Sequence, residues 1–160
     1  MKEETRQIGE RRYTVTMLPL AQWQQLRDAV WPTLMGVIPD IVDRGETPTV
    51  EQFADVVRSM SVLLPLQPES YRTVIRLLHE CSSVEGKPGR LSNIAEIWWA
   101  EQGYADLGEW LAFALEIQLV PFLRGLPLVS LRRLSRDRPS LSPITSTGIS
   151  GDSSGEGTGL

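Results

Sequence analysis

His79 and Cys81 are the only histidine and the only cysteine of the 160-residue chain, and a thiol beside an imidazole could act as a nucleophile with its general base. They lie two positions apart in a segment with helical spacing, which separates them by about 200° around a helix axis. The side chains then point in opposite directions and do not meet. We therefore interpret His79 as a surface residue and Cys81 as a small apolar core residue. A zinc site would need more nitrogen or sulfur ligands than this pair supplies.

The other residue types that carry chemistry form no recognised pattern. The Asp and Glu residues are dispersed without the spacing of a calcium loop, and no glycine-rich loop of the kind that cradles phosphate is present. The Ser and Gly residues near position 150 have no histidine after them that could serve as a base. We therefore expect no catalytic, cofactor-binding or metal-binding residues. A polar pocket with paired carboxylates would instead favour a small enzyme or an inhibitor.

Three tryptophans, Trp98, Trp99 and Trp110, fall within thirteen residues on two consecutive predicted helices. Trp98 and Trp99 point about 100° apart, so a single core takes both only if it surrounds their helix on two sides. The following helix is apolar around most of its circumference, which places it at the centre of the domain or against a partner. Core packing and partner contact both remain open. The candidate partner-binding residues are Trp98, Trp99, Trp110, Phe113 and Ile117.

Composition limits the class of protein. The chain is 41% hydrophobic and 22% charged, which is typical of a globular domain, and its length suffices for one core. A net charge of −4 disfavours nucleic acid as a partner. The lone cysteine and the polar N-terminus favour the cytoplasm. The most apolar run, residues 111–123, is shorter than a membrane-spanning helix, so we expect no membrane segment.

The elements that must position these residues begin with a β-hairpin at about residues 5–17. Arg12–Met17 alternates in strand fashion with aromatic and β-branched side chains, Gly9 and Glu10 supply the turn, and Thr5–Ile8 is the partner strand. An isolated hairpin is marginally stable, so it must pack on the helices that follow.

From Leu20 onward the spacing is helical, and the fold class is mainly α, a compact domain of about five helices. The helix boundaries follow from proline, glycine and capping residues. The first helix is predicted to start at Leu20, with a kink or break at Pro32. The second starts with a capping box of Thr49 and Gln52, and the third starts at Pro68. The fourth has a cap at Asn93 with Glu96 and ends at Gly103, and the fifth has a cap at Asp106 and runs from Leu107 to about Val120. The loop 84–89 is predicted to close the third of these helices.

The helical domain is predicted to span residues 1–125, and residues 126–160 are predicted to be a linker with a flexible Ser/Gly/Thr-rich tail. Arg132, Arg133, Arg136 and Arg138 alternate there with leucines. This segment is either an amphipathic helix for an acidic or lipid surface or a solvated linker, and the sequence leaves both interpretations open.

Two stretches resemble a known family: Gly9–Leu20, which reads GERRYTVTMLPL and precedes a Trp/Leu helix, and the acidic and aromatic run from Asn93 through Trp99 to Phe113. Together they are similar to the tail assembly chaperones of tailed bacteriophages, over about residues 8–124. Members of that family begin with a short strand pair that ends in Leu-Pro and continue as a mainly helical domain.

The resemblance implies a protein without catalysis that works in the host cytoplasm during tail morphogenesis. Its partners would be the tape measure protein, the tail tube protein or both, and it could also form homo-oligomers. Physical reasoning agrees, because a helical domain with surplus apolar surface could cover the apolar face of a long client helix. The alternative is a structural tail or head-tail connector component that stays in the virion.

Overall fold

The computed structural model describes residues 2–38, 49–102 and 104–125. Two strands come first, β1 (Glu3–Ile8) and β2 (Arg11–Thr16), followed by α1 (Leu20–Val37), α2 (Val50–Leu63) and α3 (Pro68–Glu80). A short strand β3 (Ser82–Val84) comes next, and α4 (Ala95–Glu101) and α5 (Leu107–Gly125) complete the described chain. Two single turns of 3-10 helix, Leu64–Leu66 and Leu91–Asn93, lie between these elements. The predicted mainly α fold with five helices and an N-terminal hairpin is therefore confirmed for the described residues.

The predicted hairpin is an antiparallel pair whose register runs from Glu3 opposite Thr16 to Ile8 opposite Arg11. Gly9 makes the turn with a φ of +59°, a conformation that glycine adopts at no steric cost. A Cβ atom at this position would lie 2.6 Å from Oδ1 of Asp106, so the turn also needs glycine for its close approach to that residue. Tyr13 and Val15 on the inner face of β2 are fully buried, and the hairpin packs on α5 as expected.

The third strand, β3, is absent from the prediction, which assigned Val84 to a loop. β3 pairs antiparallel with β2 and makes a sheet of order β1-β2-β3. The pairing is extended by backbone hydrogen bonds from Thr16 to Cys81 and from Glu85 to Arg12, both 2.9 Å long. Three residues are too few to show the alternation by which a strand is recognised in a sequence. Only the neighbouring strand β2 determines its conformation.

Helix α5 lies at the centre of the domain, in agreement with its apolar composition. Its most extensive contact is with α2, and it also packs against α3, β1 and β2. Arg58, Ser61 and Val62 near the end of α2 face a common groove with Gly108 and Ala112 near the start of α5, so the two helices run antiparallel. The buried apolar residues of the other three long helices are Leu26, Val30 and Leu34 of α1, Phe53, Val56, Val57 and Met60 of α2, and Val74, Leu77 and Leu78 of α3.

Two predictions at prolines are affected. Helix α1 is continuous through Pro32, so the predicted break is wrong, while a kink there stays a prediction. Helix α5 runs through Pro121 to Gly125 instead of ending near Val120. In both cases the residues around the proline are in the core, among them Val30 and Leu34 in α1 and Leu123 in α5. Their burial offsets the loss of the backbone hydrogen bond at the proline. A prediction from the local sequence pattern takes account of that loss but not of the burial.

Two of the capping predictions can be assessed. The capping box of α2 is present, with the Gln52 backbone N–H 3.2 Å from Oγ1 of Thr49 and the Thr49 N–H 2.8 Å from Oε1 of Gln52. The cap predicted at Asn93 is wrong, because Leu91–Asn93 forms a 3-10 turn and α4 begins at Ala95 without a side-chain cap. Gly103, the predicted end of this helix, lies outside the described residues, as do the segment after Pro39, the basic segment Arg132–Arg138 and the predicted tail.

One buried amide ties the sheet to the helices. The side chain of Gln118 in α5 is fully buried, and its amide nitrogen donates to the carbonyl oxygen of Thr16 at 2.7 Å. Its amide oxygen accepts from the backbone N–H of Leu18 at 3.0 Å. Gln118 thus provides hydrogen-bond partners for the backbone where the chain leaves β2 and turns toward α1. Buried backbone N–H and C=O groups need such partners.

Candidate interaction site

Four aromatic residues and one histidine from four different elements form a buried cluster, here called the aromatic cluster: Tyr13 of β2, His79 of α3, Trp98 and Trp99 of α4, and Trp110 of α5. The rings of Tyr13 and Trp99 stack with centroids 6.0 Å apart, and those of His79 and Trp110 stack at 5.0 Å. Trp99 and Trp110 are in tilted contact at 5.2 Å. The cluster therefore joins α4, which has few other core residues, to the rest of the fold.

His79 accepts a hydrogen bond at its Nε2 atom from the indole N–H of Trp99, over 2.9 Å. It is 9% exposed, so the prediction of a surface histidine is wrong. The burial lowers the pKa of His79 to about 4, and the ring is neutral at physiological pH. The helical spacing predicts that His79 points away from Cys81 and into solvent, but Trp99 of α4 covers that side of α3, which no pattern within α3 could reveal.

Cys81 is buried, as predicted, and its thiol donates to the carbonyl oxygen of Leu78 at 3.3 Å. Burial raises the pKa of the thiol to about 11, which keeps it protonated and a poor nucleophile. His79 hydrogen-bonds to Trp99 and Cys81 to a main-chain carbonyl, so the structure gives them separate partners.

A second set of hydrogen bonds runs through the hydroxyl of Tyr13. This hydroxyl donates to Oδ2 of Asp106 at 3.1 Å and accepts from the indole N–H of Trp98 at 3.3 Å. Burial raises the pKa of Tyr13 to about 12, and the neighbouring carboxylate of Asp106 acts in the same direction. The third indole, that of Trp110, donates to Oγ of Ser82 at 3.2 Å. All three indole N–H groups are therefore bonded inside the protein.

The five predicted partner-binding residues are all core residues. Trp98, Trp99 and Trp110 belong to the aromatic cluster, and Phe113 and Ile117 are buried along α5. Phe113 is covered by the guanidinium of Arg6, 4.4 Å from the ring centroid, which is also held by an ion pair with Glu116 at 3.3 Å. In this conformation the five side chains expose at most 4% of their surface, and a role in partner binding stays a prediction.

An exposed apolar patch instead lies at the C-terminal end of α2. It consists of Val62, Leu63 and Leu66, of which Val62 is 71% and Leu66 is 76% exposed. We call these three residues the α2-end patch. Scattered single apolar residues are normal on a protein surface, whereas these three lie within five positions of the chain.

The α2-end patch borders a groove of about 400 Å³ between α2, α5 and β1. Ile8 lies at its base, and Gly108 and Ala112 of α5 bring little side-chain volume into it. Arg6, Arg58 and Glu109 line the rest. Small residues one helical turn apart allow another backbone to approach closely, so the groove and the patch together can accommodate an apolar helix face.

The sequence offered one signal for this patch. Phe53, Val56, Val57, Met60 and Leu64 recur at helical spacing and form the inner row of α2, and the structure buries all five. Val62 lies in α2 outside that row, and Leu66 follows in the 3-10 turn Leu64–Leu66, also outside the row. Pattern analysis attends to the dominant face of a helix and passes over such a pair.

Within the residues that the structure describes, no three His, Cys, Asp or Glu side chains come together in a group that could hold a metal ion. In the same residues no helix has the length and apolarity that crossing a membrane requires. Comparison of the chain with protein-family models, with curated proteins and with solved structures finds no match.

Proposed function

We propose that this protein binds another polypeptide without catalysis and covers an apolar helical surface of that client during assembly. The single observation that carries the proposal is the α2-end patch, where Val62 and Leu66 expose most of their side chains beside a groove lined by Gly108 and Ala112. The resemblance of Gly9–Leu20 favours a tail assembly chaperone of a tailed bacteriophage, acting in the host cytoplasm. Its client would be the tape measure protein, the tail tube protein or both.

The energetics of such a contact favour a reversible complex. Burying a Val or Leu side chain against a partner contributes roughly 1.5–3 kcal/mol, and the loss of translational and rotational freedom offsets much of that gain. A patch of three apolar residues therefore stabilises a complex that can dissociate when the client reaches its final partner. A chaperone that is absent from the finished particle needs this property.

Co-purification tests the proposal. The protein is coexpressed with a candidate tape measure protein, and the amount of soluble client and the amount that co-purifies are measured. We expect Val62→Ser with Leu66→Ser to reduce the co-purified client at least about tenfold, because the variant lacks two apolar side chains that the client would bury in the complex. Leu20→Ser is the matched control, since Leu20 is 71% exposed but lies at the start of α1. Equal client solubility with and without the protein would refute the proposal.

The alternative function, a structural tail or connector component, uses the same patch for a permanent contact. Mass spectrometry of purified virions separates the two. A chaperone is absent from the particle, whereas a structural subunit is present in many copies. Detection of the chain at several copies per particle would therefore favour the structural role.

A further inference from the structure

A second groove, of about 490 Å³, lies between α3 and the region of α4. Its apolar lining comes from Tyr71, Ile75, Ala95, Trp99 and Tyr104. This volume is within the range of sites that take a small molecule or a protein side chain, and an apolar lining with few polar groups is typical of such sites. The groove is distinct from the α2-end patch, because none of its lining residues borders the groove beside α2.

His79 contributes a hydrogen-bond donor to this groove. It lines the groove although it is only 9% exposed. Because its Nε2 atom accepts from Trp99, the proton of the neutral ring is on Nδ1. No hydrogen bond to Nδ1 is found among the described residues, where every fully enclosed polar side-chain atom has a partner. Nδ1–H is therefore open to the groove and can donate to an occupant.

The charged residues at the rim balance one another. Arg72 and Arg76 come from α3, and so does Glu80, while Glu96 comes from α4. Arg76 and Glu80 already form an ion pair at 3.5 Å. Two cations and two anions leave the rim without net charge, so the groove gives no electrostatic preference to a charged occupant.

Tyr104 forms one wall of the groove in an unusual conformation. Its φ is +60°, in the left-handed region that a tyrosine rarely adopts, and its side chain is exposed. Its backbone N–H donates to the carbonyl oxygen of Trp99 at 2.9 Å, which holds the main chain of Tyr104 beside the groove that its side chain lines. Backbone strain of this kind is found preferentially at binding sites.

We infer that the groove between α3 and α4 binds a neutral aromatic or aliphatic side chain of a partner polypeptide, with a backbone carbonyl beside that side chain accepting from Nδ1–H of His79. The rim without net charge gives no advantage to a charged group, the aromatic lining packs against a neutral one, and Nδ1–H of His79 orients it. The inference rests on the proposed function for the identity of the partner, which is the client. It adds a second contact that is spatially separate from the α2-end patch.

NMR titration of the full ¹⁵N-labelled chain tests the inference. The probe is N-acetyl-phenylalanine amide, which is neutral and carries both an aromatic ring and carbonyl acceptors. We expect it to shift the indole N–H signal of Trp99 and the backbone signal of Tyr104, with half-saturation on the order of 1 mM. N-acetyl-phenylalanine, which carries a free carboxylate, should bind roughly tenfold more weakly because its carboxylate loses hydration without gaining a net opposite charge.

Two variants make the titration specific. Tyr104→Gly removes one wall and suits the positive φ, so it folds and weakens binding of the neutral probe several-fold. Ile97→Ser is the matched control, because Ile97 is also exposed on α4 but does not line the groove, and its binding should equal that of the wild type. Three results would overturn the inference: no shift at Trp99, tighter binding of the anionic probe, or equal weakening in both variants.

The two proposals fail separately. If the neutral probe binds as expected while the client neither co-purifies nor becomes more soluble, the groove is a binding site but the proposed function is wrong. If the client co-purifies and the probe produces no shift, the function stands and the groove plays no part in it.

Discussion

The aromatic cluster and the α2-end patch both have an exposure that their residue types do not suggest: the cluster is buried and the patch is exposed. The cluster contains three tryptophans, the residue most enriched in protein interfaces, and each indole N–H is bonded inside the molecule. The α2-end patch contains only valine and leucine, residues typical of a core, and exposes them. Residue type alone therefore does not separate core from interface.

The difference lies in where the polar atoms find partners. A buried tryptophan is costly unless its N–H is satisfied, and Tyr13, His79 and Ser82 supply the three acceptors from β2, α3 and β3. Val62 and Leu66 have no polar side-chain atoms. Their exposure therefore leaves no hydrogen bond unsatisfied and only forgoes the burial of apolar area. The predictions below test this contrast in order of decreasing expected effect.

The largest effect is expected inside the aromatic cluster. Trp110→Ala removes a fully buried ring, its stacking with His79 and its hydrogen bond to Ser82. We expect the free energy of unfolding, measured by urea denaturation, to fall by about 3–5 kcal/mol. Trp110→Phe keeps most of the ring and should cost clearly less. Equal losses in the two variants would show that the hydrogen bond, and not the packing, dominates the cluster.

The next effect is a pH dependence due to His79. The pKa of its ring is about 4 in the fold and about 6.5 in the unfolded chain, so the unfolded state binds the proton first as the pH falls. This group leaves stability constant above pH 6.5, lowers it between pH 6.5 and pH 4, and has no further effect below. Between pH 7 and pH 5 the free energy of unfolding should fall by about 2 kcal/mol.

His79→Gln separates this effect from any contribution of other groups. The glutamine oxygen can still accept from the indole N–H of Trp99, but the side chain does not titrate. The difference in unfolding free energy between pH 7 and pH 5 should therefore nearly disappear in this variant. A variant that loses as much stability as the wild type over this interval would assign the effect to other groups.

The smallest effect on stability is expected at the α2-end patch. Val62→Ser with Leu66→Ser should change the free energy of unfolding by less than about 1 kcal/mol, because both side chains are already largely hydrated. The same double variant is the one expected to lose client. A large loss of stability in thermal or urea unfolding would mean that the patch supports the fold and would remove the contrast with the aromatic cluster.

The helices could be predicted because their signals are local. The capping box of Thr49 and Gln52 and the first-turn proline Pro68 each lie within one helical turn, and the apolar row of α2 repeats at helical spacing; the structure contains all three. The strand β3 and the continuation of α5 past Pro121 could not be predicted, since their conformations depend on β2 and on core burial. Local patterns do not contain that information.

The candidate sites were less predictable than the fold, for a related reason. Burial of Trp98 and Trp99 requires surroundings on two sides of α4, and these come from Tyr13 and His79, which are far from α4 in the sequence. The groove beside Tyr104 likewise depends on how α3 and α4 pack. Residue types indicated which segments take part in the core and in the candidate sites. Which faces of these segments are exposed depends on tertiary contacts.

The bridge made by Gln118 has a consequence for synthesis of the chain. Its amide joins main-chain groups of Thr16 and Leu18 that are separated from it by about a hundred residues. While the ribosome is still translating α3 and α4, the strand pair at the N-terminus has neither this bridge nor the cover of α5, and such a pair is marginal by itself. Completion of the native domain therefore waits until the last described helix has left the exit tunnel, so the nascent protein spends most of its synthesis with its sheet unsupported.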